Sequence, residues 1–263
     1  MTHTPRPDPS SRRIMTFRII AAVTGLVFLV PVLNVLAPWT LVLDTGDSHA
    51  QVDRWFITVS GAEDLIQAVV LLALAWRPRR PLLALYLVVA MAVAAVVNLP
   101  FVPSFVVILA ALVPALATYP YWAELRDAPR WWRRADQPLL LVGVVTTVAA
   151  LGGAVVWISR QIGGTDAAAE ANWWADYAEH VLLLSVAVLV ASCVKPGWRV
   201  LTGTAAVSWT YLGIVAAVVL PDATGSWGVT TGLVSLVVGL GLGAVTVFDA
   251  DHHWVLIPQL RPH

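Results

Sequence analysis

The chain has 263 residues, of which 59% are apolar and only 12% are charged. Soluble globular domains carry roughly 25% charged residues. This composition therefore excludes a water-soluble globular domain for most of the chain. Lys and Arg balance Asp and Glu at 16 each, and without a basic excess we expect no nucleic-acid partner.

Eight apolar blocks follow one another along the chain, and each has about the length of a membrane span. A helix that crosses the bilayer needs about 20 mostly apolar residues. We therefore predict an all-α membrane protein of about eight transmembrane helices. The blocks run over residues 19–37, 56–76, 82–98, 102–120, 138–158, 175–194, 198–219 and 226–248.

The first of these blocks is expected to be a span and not a cleaved secretory signal. Arg12 and Arg13 precede it, as in a signal peptide. Its apolar run, however, is longer than the 7–15 residues, roughly, of a signal core. A comparable block recurs at 138–158, inside the chain, where no signal could operate.

The basic residues predict the orientation of the spans. Cationic residues near span ends favour the cytoplasmic side, and 14 of the 16 Lys and Arg residues fall on one side of the predicted spans. Only Arg54 and Arg160 fall on the other side. We expect a multi-pass protein of the plasma membrane with both termini in the cytoplasm. The preference for Arg over Lys and the richness in Ala and Val favour a bacterial inner membrane.

Two pairs of similar segments indicate an internal duplication. Residues 93–100 (VAAVVNLP) resemble residues 215–221 (VAAVVLP), and Ala62-Glu63-Asp64 resembles Ala178-Glu179-His180. The pairs occur in the same order. We predict two four-helix units, 1–118 and 138–248, with a short cytoplasmic tail before the first span and a second cytoplasmic tail at 249–263. The amphipathic connector 119–137 is expected to lie on the inner membrane surface. Because each unit has an even number of spans, the repeat is parallel.

The densest polar residues lie at the predicted outer ends of spans 2 and 6. Their spacing of three or four places each set on one stripe of its helix. Carboxylates and an imidazole that face each other could bind a cation, relay protons or act as acid and base. The candidate site consists of Glu63, Asp64 and Gln67 on span 2, and Asp176, Glu179 and His180 on span 6.

Helix capping is the alternative interpretation of the same residues. Ser60 with Glu63, and Asp176 with Glu179, have the spacing of a capping box, in which both side chains satisfy free N–H groups at a helix start. Negative charge also suits that position. Under this interpretation spans 2 and 6 begin at these residues, and the glutamates lie in the headgroup zone.

Three classes of function are compatible with these patterns. The duplication favours a small transporter or permease component. A membrane-embedded enzyme acting on a lipid-like substrate would use a glutamate as acid or base. In an accessory or assembly protein the polar residues would only cap and pack helices. Catalytic residues and a bound metal are not identified by the sequence, and no cofactor motif is predicted. The expected partners are the bilayer and a second copy or another membrane protein.

Overall fold

The computed structural model describes residues 9–39, 48–98, 100–101, 105–132, 135–223 and 225–256. Every regular element within these ranges is helical. The helices are α1 (Ser11–Val32, continued by a 3-10 segment, Leu33–Trp39), α2 (Ser48–Trp76), α3 (Pro81–Asn98), α4 (Phe105–Thr118), α5 (Trp122–Leu125), α6 (Ala128–Trp131), α7 (Gln137–Gly163), α8 (Ala167–Glu170), α9 (Trp173–Ala191), α10 (Trp198–Ile214, continued by a π-helical turn, Val215–Val219) and α11 (Gly228–Leu256).

Seven helices in the described part of the chain are long and apolar enough to cross a membrane. This confirms an all-α, multi-pass architecture. The block at 102–120 forms α4, which has 14 residues and is about 21 Å long, shorter than a hydrocarbon core of about 30 Å. The seven segments are Ser11–Trp39, Arg54–Trp76, Pro81–Asn98, Gln137–Gly163, Trp173–Ala191, Trp198–Val219 and Gly228–Phe248.

Helices α2 and α9 form the centre of the bundle. The most apolar window of α9 is 83% buried and that of α2 is 67% buried, against 22% for α1 and α11 and 28% for α7. The outer three helices expose Leu, Val and Ile side chains, as expected where the surrounding solvent is lipid. The polar residues of α2 and α9 are therefore enclosed by protein.

Several helix ends meet at one end of the bundle. Arg13 of α1 donates a hydrogen bond to the carbonyl of Tyr119 at 3.2 Å, and Arg18 donates to the carbonyl of Trp76 at 3.3 Å. Arg79, between α2 and α3, lies 3.0 Å from Glu124 in the connector. We call this the basic end. Helix α3 leaves it and α4 returns to it.

Part of the connector packs against the basic end of the bundle. Tyr119 is fully buried and Trp131 is 8% exposed. The Tyr119 ring packs edge-to-face on Phe17 of α1 at 5.4 Å. These aromatic residues therefore help to close this end of the bundle.

The opposite end carries Arg54 and Arg160. Arg54 precedes Trp55, whose indole N–H donates to the Tyr177 hydroxyl at 3.1 Å. Arg160 lies over the Trp174 ring at 5.0 Å. The helical backbone of α11 continues to residue 256, beyond the predicted start of the C-terminal tail at 249. Residues 1–8 and 257–263, which include the rest of both predicted tails, lie outside the described residues.

The helices pair closely where glycine allows it. A Cβ at Gly143 of α7 would lie 2.6 Å from the Cα of Leu189 in α9, so only glycine permits this approach. Extensive packing joins α1 to α2, α7 to α9 and α10 to α11. Between the predicted halves the packing is reciprocal, because α3 packs on α9 and α10 packs on α2.

Candidate functional site

Helix α2 begins much earlier than the sequence predicts. Its first residue is Ser48, twelve residues before Ser60, and Ser60 donates a hydrogen bond to Asp64 Oδ2 at 3.2 Å within the helix. Ser60 and Glu63 therefore have no free N–H groups to satisfy. The capping interpretation of these two residues is wrong.

The capping interpretation is also wrong for Asp176 and Glu179. Helix α9 begins at Trp173, and its N-cap is Asn172, which has a left-handed backbone and makes no side-chain capping bond. Asp176 lies in the first turn, where negative charge suits the helix dipole. Glu179 lies beyond that turn and is 4% exposed.

The glutamates lie deeper than the outer ends where we expected them. Glu63 follows Arg54, the first residue of its span, by nine residues, about 14 Å along the helix. Glu179 follows Trp173 by six residues, about 9 Å. Glu63 therefore lies near the middle of its 23-residue span, and Glu179 lies about a third of the way along its 19-residue span.

Glu63 is held by donors from two helices. Gln67 Nε2 donates to both carboxylate oxygens, at 2.8 and 3.0 Å. The Tyr86 hydroxyl of α3 donates to Oε1 at 3.2 Å. Glu63 is 1% exposed and Tyr86 is fully buried. Three hydrogen bonds from two side chains therefore fix the orientation of this buried carboxyl group.

His180 brings the two predicted sets of polar residues together. Its Nδ1 lies 3.5 Å from Glu63 Oε2, so the two side chains meet across the α2–α9 interface. Within the described residues Nδ1 makes no hydrogen bond. At this separation a protonated imidazole would form an ion pair with the Glu63 carboxylate.

Glu179 is bound by a third helix. Asn98, the last residue of α3, donates a hydrogen bond from Nδ2 to Glu179 Oε2. Asn98 is 1% exposed. Each glutamate therefore accepts a hydrogen bond from an amide side chain, Glu63 from Gln67 and Glu179 from Asn98. Both glutamates also accept a hydrogen bond from a side chain of α3. The six predicted site residues fall on one interface, which α3 completes.

A small cavity leads to this interface. It has a volume of about 150 Å³, and the side chains of α2 and α9 form most of its wall. His180, at 14% side-chain exposure, connects the cavity with Glu63. We call it the aromatic cavity. It is lined by Asn34, Phe56, Ile57, Ser60, Trp173, Asp176, Tyr177 and His180.

The charge of the site is unbalanced. Four carboxyl groups, Glu63, Asp64, Asp176 and Glu179, accompany one imidazole. No Lys or Arg occurs in α3, in α9 or in α2 after Arg54. Buried charges without partners are costly, and acidic groups then become protonated or bind a cation. The site is therefore built to take up positive charge.

Metal binding finds no support in the geometry of the described residues. Among them no three His, Cys, Asp or Glu side chains converge as metal ligands. The Gln67 amide and the Tyr86 hydroxyl instead donate hydrogen bonds to Glu63.

Two residues of the site were not singled out by the sequence. Tyr86 is one tyrosine in an apolar span, and Asn98 is a single amide at the end of the same span. The polar tip of Tyr86 was the available signal, because a buried tyrosine hydroxyl usually has a partner. No protein-family model, curated protein or solved structure matches the chain.

Proposed function

We propose that this protein is a proton-coupled transporter of a small solute, with Glu63, Glu179 and His180 as its proton-binding groups. The observation that carries the proposal is the 3.5 Å contact between His180 Nδ1 and Glu63 Oε2. This contact lies inside the span region and at the inner wall of a cavity. Ionisable residues at this depth are expensive and usually functional.

The donors around the carboxylates support a role in proton exchange. Gln67 and Tyr86 donate hydrogen bonds to Glu63, and Asn98 donates one to Glu179. With one imidazole available, full ionisation would leave a net negative charge in a low-dielectric region. Uptake and release of a proton therefore change the electrostatic energy strongly, which is the property that couples proton binding to a conformational change.

The architecture proposed for this transporter is a tandem parallel repeat of two four-helix units. The reciprocal packing of α3 on α9 and of α10 on α2 supports it, since a two-fold axis along the membrane normal would exchange these pairs. The return of α4 to the basic end supports an eighth crossing. The basic end is proposed to face the cytoplasm of a bacterial cell.

A vesicle assay tests the proton role. The purified protein is reconstituted into liposomes that contain a pH-sensitive dye, and a potassium gradient with valinomycin drives protons inward. We expect wild-type vesicles to acidify faster than protein-free vesicles, and the Glu63→Gln/Glu179→Gln double variant to lose this excess. Glu170→Gln is the control, because Glu170 is exposed. Wild-type rates in the double variant would refute the proposal.

Acid–base catalysis on a lipid-like substrate is a second candidate function, favoured by one further cavity. An apolar cavity of about 310 Å³ between α7, α9, α10 and α11 is bounded by Val181, the neighbour of His180 in sequence, and by Trp209 and Trp227. An acyl chain would fit such walls. Mass spectrometry of a lipid extract incubated with wild type and with His180→Gln would detect a product if this function holds.

A further inference from the structure

We propose that the aromatic cavity binds a small organic ammonium cation and that this cation is the transported solute. The proposal rests on the proposed function, because it names the substrate class of the same site. Its basis is the combination of aromatic walls, a carboxyl group in the wall and limited volume. The aromatic residues and Asp176 are among the side chains that line the cavity.

Three aromatic side chains, Phe56, Trp173 and Tyr177, line the cavity. The Phe56 ring lies 5.5 Å from the Trp173 ring and 5.2 Å from the Tyr177 ring, so the three form one group. Aromatic faces attract ammonium ions through their electron-rich π systems, and quaternary ammonium ligands are recognised in this way.

Tyr177 forms a fixed part of the cavity wall. Its hydroxyl donates to the carbonyl of Gly225 at 3.0 Å and accepts from the Trp55 indole at 3.1 Å. The residue is 1% exposed, and its ring packs against the Trp157 ring at 4.4 Å. Contact with a cation therefore falls to the Phe56 and Trp173 rings.

The charge in the cavity selects cations over anions and neutral molecules. Asp176 lines the wall, and no hydrogen bond from the described residues reaches its carboxylate. Asp64 lies behind Ser60, which donates to it at 3.2 Å. Of the side chains that line the cavity, only that of His180 can carry positive charge. A ligand that brings a positive charge compensates the buried carboxylates.

The volume restricts the ligand to a small molecule. About 150 Å³ corresponds to roughly five water molecules at about 30 Å³ each. A trimethylammonium group with a short side chain is of this size, while a complete phospholipid is far larger. His180, one of the proposed proton-binding groups, lines this cavity and lies 3.5 Å from Glu63. The cation would therefore bind next to the proposed proton-binding groups.

Equilibrium binding of radiolabelled choline to the purified full-length protein tests the proposal. Choline has a neutral isostere, 3,3-dimethylbutan-1-ol, with carbon in place of nitrogen. We expect saturable choline binding that excess tetramethylammonium displaces. We expect 3,3-dimethylbutan-1-ol and sodium ions at the same concentration not to displace it. The isostere separates recognition of charge from recognition of shape, and sodium separates an organic cation from an inorganic one.

Two variants locate the binding. Asp176→Asn removes one charge at nearly constant volume and should weaken choline binding by about 10-fold or more. Phe56→Leu keeps the packing volume and removes the π face, for an expected loss of about 2- to 30-fold. The control is Asp222→Asn, since Asp222 is exposed and does not line the cavity.

The outcomes separate this inference from the proposed function. Absent choline binding, displacement by the isostere, or equal displacement by sodium would each overturn the ammonium site. So would unchanged binding in both cavity variants. Proton uptake by the same wild-type preparation in vesicles would still support the proposed function. If folded wild-type protein shows neither choline binding nor proton uptake, both the ammonium site and the proposed function are refuted.

Discussion

His180 of α9 and Glu63 of α2 face each other at 3.5 Å, although 117 positions separate them in the sequence. They belong to the two predicted halves of the chain. The contact therefore joins an imidazole and a carboxyl group at the central interface of the bundle. Its surroundings lead to the following predictions.

Tyr86→Phe tests the hydrogen bond that holds Glu63. The variant removes only the hydroxyl that donates to Oε1 at 3.2 Å, and we expect a loss of about 1.5–3 kcal/mol in the free energy of unfolding, because the acceptor is charged. Titration of folded protein in mixed micelles with a denaturing detergent measures this loss. Tyr121→Phe is the control, since Tyr121 contacts Arg79 through its ring, and it should stay within about 0.5 kcal/mol.

Ser60→Ala and Asp136→Ala separate a mid-helix serine from a true helix cap. Asp136 is the N-cap of α7 and accepts from the backbone N–H of Leu139 at 3.0 Å, so its loss should cost about 0.5–2 kcal/mol. Ser60→Ala removes one bond to Asp64 but improves helix propensity, so it should cost less. A larger loss for Ser60→Ala in the same unfolding titration would restore the capping interpretation.

Gly143→Ala and Gly152→Ala compare two sites on one helix. A Cβ at Gly143 would meet the backbone of Leu189 at 2.6 Å, whereas nothing lies within 4 Å of a Cβ at Gly152. We expect the first change to destabilise the protein by about 1–3 kcal/mol. The second should be neutral or stabilise by up to about 1 kcal/mol. Equal unfolding free energies for the two variants would contradict the close α7–α9 packing.

Cysteine labelling tests the orientation of the spans. Cys193, the only cysteine, is 2% exposed, and burial raises the pKa of its thiol to about 11, against the opposing effect of Lys195. Near pH 7 this thiol is protonated and should not react with maleimides. The wild type is therefore an unlabelled background.

In that background, Thr165→Cys and Arg77→Cys report on opposite ends of the bundle, and both positions are exposed. A membrane-impermeant maleimide should label the first in intact cells and the second only after permeabilisation. The reverse pattern would mean that the basic end faces outward, contrary to the positive-inside rule.

The sequence predicts the apolar spans well because length and hydropathy determine them. The predicted block 82–98 and the helix Pro81–Asn98 almost coincide. The helix α2 begins eight residues before the predicted block 56–76, because Arg54 and the polar residues before it end the apolar run. Ser60 and Glu63 add polar positions within the block. Their polarity is tolerated because α3, α9 and α10 surround α2.

The contacts of the site could not be predicted at the same level. The spacing of Glu63 and Gln67 by four residues on one helix indicates their hydrogen bond directly, and the structure confirms it. The bond from Asn98 to Glu179 joins positions 81 apart, and no local pattern encodes it. Which helices become neighbours depends on the packing of the whole bundle.

The glycine contacts have a mechanical consequence. Where backbones touch, as at Gly143 against Leu189 and at Gly213 against Leu236, two helices cannot slide without a clash. The α7–α9 and α10–α11 pairs are therefore expected to move as units. Relative movement of helices would then take place at boundaries without such contacts, and one of these, between α2 and α9, contains Glu63 and His180.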